Sequence, residues 1–171
     1  MKINNIDEFT EIFNFVFSSQ FELLGKTEKN NIKEEIRNAI KKFPETEPII
    51  KETLKNEVRR ADYYGDFNGS IQNIIFIYKM FSDEEKMKFL IANVINSKVR
   101  NNEYLLFILL DFLDIEDKVK VLAKLTNKEL LYLMSNCNQV FLSDRKKLKT
   151  RIIYKRYYFI LKKTLKYKEL R

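Results

Sequence analysis

Ile74–Leu90, IIFIYKMFSDEEKMKFL, and Leu105–Leu122, LLFILLDFLDIEDKVKVL, are the two stretches on which the reading of the fold turns. Each opens with an apolar run, meets a short acidic break, and continues into a segment that mixes lysines with apolar residues. Phe76-Ile77 matches Phe107-Ile108, and Lys86-x-Lys88-x-Leu90 matches Lys118-x-Lys120-x-Leu122, at a spacing of 31–32 residues. Both breaks carry helix-start chemistry. Ser82 with Glu85 is a capping box, and Asp114 with Asp117 is an N-cap with a first-turn acid that complements the helix dipole. Each stretch therefore predicts two helices joined by a tight turn.

A helical hairpin repeated at this period resembles a HEAT-like α-solenoid, over about residues 70–125. The likeness is one of general style and implies no functional residue. With two copies only, chance similarity between apolar helix pairs with acidic starts is the competing explanation.

Working outward, helical signals continue nearly end to end. Asn5 with Glu8 opens a first helix bearing Ile6, Phe9, Phe13, Val16 and Phe17, and Gly25 suits its stop. Thr27 starts a second, with Ile32, Ile36, Ile40 and Phe43 on one face and Pro44 as its close. Thr46 starts a third, whose stripe is Ile50, Leu54, Val58 and Ala61. Thr126 with Glu129 caps a short helix carrying Leu130, Leu131 and Leu133, and a long helix is expected over 143–170. Three Gly and two Pro are too few for the turns of a many-stranded β protein. The expectation is an all-α chain of eight or nine helices, the central ones in antiparallel hairpins. An N-terminal helical portion (1–62) and a hairpin portion (70–171) make one compact domain overall, divided by the glycine-bearing YYGDFNGS. The core should include Phe13, Val16, Ile36, Leu54, Ile75, Leu90, Leu106, Phe107, Ile108, Leu122 and Ile160.

The chemistry available to such a chain is limited. It has no His, which removes the usual general base, the commonest metal ligand and every Ser-His or Cys-His pair. Cys137 has no neighbouring Lys or Arg in sequence and reads as a small core residue in a reducing compartment. Three scattered glycines cannot build a phosphate loop. Asp111, Asp114, Glu116 and Asp117 crowd together as an Mg²⁺ site would require, but capping and dipole complementation account for them. Asp62 and Asp66, flanking Tyr63-Tyr64 after Arg59-Arg60, suit a polar pocket or equally a solvated helix end. Asn68-Gly69-Ser70 has the form of a glycosylation sequon but reads as a turn. No catalytic residue, metal or cofactor is expected, and the chain reads as a non-enzyme. No long uncharged apolar segment predicts a membrane span, and the chain is expected to be cytoplasmic.

Charge supplies the positive signal. Of 32 Lys/Arg and 24 Asp/Glu, residues 144–171 hold 12 basic and two acidic groups; the remaining 143 residues are nearly balanced, with 20 and 22. The segment RIIYKRYYFILKK, Arg151–Lys163, places Ile153, Tyr154, Tyr157, Ile160, Leu161 and Leu165 on one core-facing side. Leu148, Ile152 and Phe159 form a second apolar stripe elsewhere on the helix, between basic borders. The candidate binding residues are Arg145, Lys149, Arg151, Lys155, Arg156, Tyr158, Phe159, Lys162 and Lys163. Two functions compete. The first is an intracellular adaptor, inhibitor or accessory subunit that binds another protein through a helical surface. The alternative is a nucleic-acid-binding accessory protein that holds RNA or DNA backbone phosphates through the basic helix, with Tyr158 placed to stack on a base.

Overall fold

The computed structural model describes residues 2–64, 70–95 and 103–170. Among these the chain is all-α, with ten helices and no strand. Contacts divide it into two units, Met1–Met80 and Phe81–Arg171.

In the first unit, α1 (Ile6–Phe15) begins where expected: Asn5 accepts from the Glu8 amide at 2.8 Å, and Glu8 reaches back to the Asn4 amide at 2.8 Å. Its buried rings, Phe9 and Phe13, stack at 5.2 Å. The helix stops earlier than Gly25. Ser18 breaks it by accepting from the Phe21 amide at 3.2 Å, which starts a separate short helix α2 (Ser19–Leu23). Gly25 instead lies at the N-cap of α3 (Lys26–Lys42), where Glu28 accepts from the Gly25 amide at 3.1 Å. Helices α4 (Thr46–Tyr64) and α5 (Ser70–Tyr78) complete the unit, with α1 packed on α3 and α4, and α4 on α5. The stripe Ile50, Leu54 and Val58 is buried as its spacing requires, whereas the side chain of Ala61 lies outside the described residues. Asn73 of α5 is buried but satisfied: its amide donates to the Val16 carbonyl at 2.9 Å and to Glu22 at 3.0 Å.

In the second unit, α6 (Asp83–Ile95) is capped by Ser82 and Glu85, and α8 (Ile115–Leu122) by Asp114, which accepts from the Asp117 amide at 2.8 Å. Between them α7 (Glu103–Leu110) is buried along most of its length, at Leu105, Leu106, Phe107, Leu109 and Leu110. Thr126 and Glu129 cap α9 (Asn127–Leu142), which is no short helix: Leu130, Leu133 and Cys137 carry its buried stripe through the polar SNCNQ. The last helix, α10, runs Leu148–Glu169 rather than from residue 143, because Ser143 ends α9 in extended backbone and accepts from the Lys146 amide in a turn. At 1.5 Å per residue its 22 residues span about 33 Å. Neither end projects from the unit. Arg151 donates to the Phe141 carbonyl at 3.0 Å near one end, and Lys168 donates to the Leu125 carbonyl near the other. These contacts make α9 and α10 an antiparallel hairpin, with α10 also packed on α8.

Hairpin packing is thus present, but a solenoid stack is not shown: of the repeated helix pairs, α5 falls in the first unit and α6 in the second. Of the expected core, Ile75 and Ile108 are only half-buried. On α7 the neighbours of Ile108, Phe107 and Leu109, take the covered positions.

Tyr157, fully buried, seats α10. Its ring lies parallel to that of Phe107 with centroids 4.1 Å apart, and its hydroxyl sits 2.7 Å from the Phe107 carbonyl and 2.6 Å from Asp111 Oδ1. Tyr157→Phe keeps the ring pair and removes only the hydroxyl. It should lower stability by about 1–3 kcal/mol, seen as a lower urea midpoint at unchanged slope. An unchanged midpoint would mean that the hydroxyl contributes nothing to seating α10.

Candidate functional site

The two sides of α10 differ in kind. Tyr154, Tyr157, Ile160, Leu161 and Thr164 are buried, and Ile153 and Leu165 half-buried, so the expected core stripe is present with Thr164 added. The Thr164 hydroxyl is satisfied locally, donating to the Ile160 carbonyl at 2.9 Å. On the outside, Leu148 is 69% exposed, Ile152 57% and Phe159 58%. Three large apolar residues thus stand exposed on one face of the helix.

The candidate cations separate into two groups. Lys149, Lys155, Lys162 and Lys163 are exposed, and none of them forms an ion pair among the described residues. Arg145 is exposed in the α9–α10 turn. The two arginines of the helix are engaged within the unit. Arg151 bonds the Phe141 carbonyl and lies 3.4 Å from Asp144. Arg156 pairs with Asp111 while its guanidinium stands 5.5 Å from the Tyr157 ring centre. Tyr158 is half-buried, edge-on to Phe141 at 5.9 Å and to Phe159 at 5.5 Å. Lys166, exposed on the same outer line, was not singled out by sequence; its spacing from Lys162 and Phe159 is the signal that identifies it.

The carboxylates serve structure. Asp111 meets Tyr157, Arg156 and, at 3.5 Å, Lys118. Asp114 is the α8 cap, and Asp117 pairs with Lys120 at 2.7 Å. Among the described residues no group of three metal-ligating side chains gathers. The side chains of Asp62, Tyr63, Tyr64 and Ser70, together with Asp66, Asn68 and Gly69, lie outside the described residues. Cys137 is a buried free thiol, as its reading as a small core residue expects, and burial pushes it up to about 12. No helix among the described residues is long and apolar enough to cross a membrane.

A second polar cluster lies under α10. Burial raises the Glu103 carboxyl above its ordinary value, opposed by the hydrogen bond that Asn136 donates to it. Nearby Tyr154 is also raised, chiefly by burial and then by Glu103. Comparison of the chain with family models, with curated proteins and with solved structures finds no match.

The sign of the Glu103 shift sets a pH dependence. A folded-state value above the unfolded one favours the neutral acid in the fold. The stability this contributes is full below the ordinary carboxylate range and is lost as pH rises through the raised value. Glu103→Gln should therefore stabilise the protein at pH 7, by at most about 1 kcal/mol for a half-buried group, and make no difference near pH 4. Thermal melts at the two pH values measure this, and destabilisation at pH 7 would contradict it.

Proposed function

We propose that this chain is a non-enzymatic binding protein, an adaptor, inhibitor or accessory subunit, whose contact surface is the outward face of α10. One observation carries the reading: Leu148, Ile152 and Phe159 stand exposed, among lysines that form no ion pair with the described residues, on a helix whose opposite side packs into the core. Full burial of such a side chain is worth about 1.5–3 kcal/mol, and a partner recovers the part of it that each still forgoes in water. The lysine rim adds long-range attraction for an acidic partner. A buried thiol at Cys137 suits action in a reducing compartment.

A second reading rests on a separate observation. Lys149, Lys155, Lys162 and Lys163 are free to meet phosphates. If about six phosphates are neutralised, affinity for labelled DNA or RNA should fall by about a thousandfold between 50 and 200 mM salt. A phosphate-tracking surface, however, has no need of exposed Leu148 and Ile152.

Phe159→Asp discriminates between them. The protein-binding reading expects this variant to lose a stoichiometric partner from extracts of its source cell, quantified by mass spectrometry against Lys41→Glu on the first unit. Thermal stability should change by no more than about 1 kcal/mol, the order of the Tyr158 ring contact. An unchanged partner profile would sink the reading, and so would an unfolded variant, because Phe159 would then be core.

A further inference from the structure

The outer line of α10 has a regular spacing. Leu148, Ile152, Lys155, Phe159, Lys162 and Lys166 are separated by four, three, four, three and four residues, and all six are exposed. That is the spacing which keeps side chains facing a second helix along its length. Beside this line, Lys149, Arg156 and Lys163 recur every seven residues, where paired helices exchange salt bridges. The opposite border, Arg151 and Tyr158, is turned to α9 through Phe141. On the cationic border Arg156 is held by Asp111, so Lys149 and Lys163, which form no ion pair among the described residues, are its open positions.

We propose that this face takes an acidic amphipathic α-helix of another protein, laid lengthwise along α10 in heptad register; the proposal rests on the protein-binding reading above. Apolar residues of the partner meet Leu148, Ile152 and Phe159, while its Asp or Glu side chains meet Lys155, Lys162 and Lys166 and the border lysines Lys149 and Lys163. From Leu148 to Lys166 the seam is about 27 Å, so the partner contributes about five helical turns. Charge selects the occupant. Before Glu169 the helix has no acid, so a second copy would set lysines against lysines. A bilayer asks for a broad apolar face, whereas this stripe is one residue wide and Lys155 interrupts it between Ile152 and Phe159.

The probe is a set of synthetic, end-blocked peptides titrated into the whole protein at about 0.1 M salt. One carries Leu at the three seam positions facing Leu148, Ile152 and Phe159 and Glu at the other seam and border positions, made in both parallel and antiparallel order. A second has the same composition with the heptad spacing scrambled, and a third replaces Glu by Lys. The proposal expects the registered peptide in one order to bind on the order of tenfold more tightly than the scrambled one. The Lys version should not bind, and Lys155→Glu with Lys162→Glu should remove that advantage. Equal binding of the scrambled peptide would overturn it, leaving only general attraction between opposite charges. Displacement of the registered peptide by phosphatidylserine vesicles or single-stranded DNA, with tighter binding of either, would overturn it in favour of that surface. If no peptide binds but Phe159→Asp still strips a partner from extracts, the helical register fails and the protein-binding reading stands. If partner capture ignores Phe159→Asp as well, both fail.

Discussion

The position of α10 depends on one interaction, the stacking of Tyr157 on Phe107 with the Tyr157 hydroxyl held between the Phe107 carbonyl and Asp111. Burying the Tyr157 side chain contributes about 1.5–3 kcal/mol, and the ring pair a further 0.5–1.5 kcal/mol or so. Tyr154 meets the same Phe107 ring edge-on at 5.3 Å, so the helix is fixed both along and about its axis. Asp111 supplies the charge that this packing requires. Its Oδ1 accepts from Tyr157 and lies 3.5 Å from Lys118, while its Oδ2 meets Arg156, so these cations near the core edge stand beside a counterion.

Fixing the rotation of α10 also fixes what remains outside. With Tyr154, Tyr157, Ile160, Leu161 and Thr164 turned inward, a turn of about 100° in either direction would bring lysines into the core, at a cost of several kcal/mol for each unpaired charge. The same constraint leaves Leu148, Ile152 and Phe159 outside. Their exposure follows from a helix that is apolar on two sides, only one of which packs on α8 and α9. The lysines between them keep that second side wet in the free protein and give it a preference of sign.

Local signals were the legible part of the sequence. Asn5, Ser82, Asp114 and Thr126 all start helices where their side chains predict, because a cap is decided within four residues. The stripes on α4 and α10 were legible for the same reason, periodicity being a property of one segment. The exposed Leu148, Ile152 and Phe159 were placed on a second face by spacing alone. Features set by competition between neighbours were not legible. Ser18 captured a turn ahead of Gly25, and Ser143 separated α9 from α10 where basic residues read as continuous helix. Asp111 looked like part of an acidic break, because its partners Tyr157 and Arg156 are more than 40 residues away in sequence. Ile75 and Ile108 were expected in the core by hydropathy, yet which side of a nearly all-apolar helix is covered depends on the packing of its neighbours.

The central claim is that α10 is held on one side and open on the other. Thiol labelling of a Phe159→Cys variant with a maleimide reagent in native buffer tests it most directly, with the native Cys137 as internal reference. The account predicts that one thiol per chain reacts at the rate of a free cysteine, while Cys137, buried under α10, reacts only after denaturation. Protection of both thiols until the protein unfolds would contradict it, and would place Phe159 inside the fold.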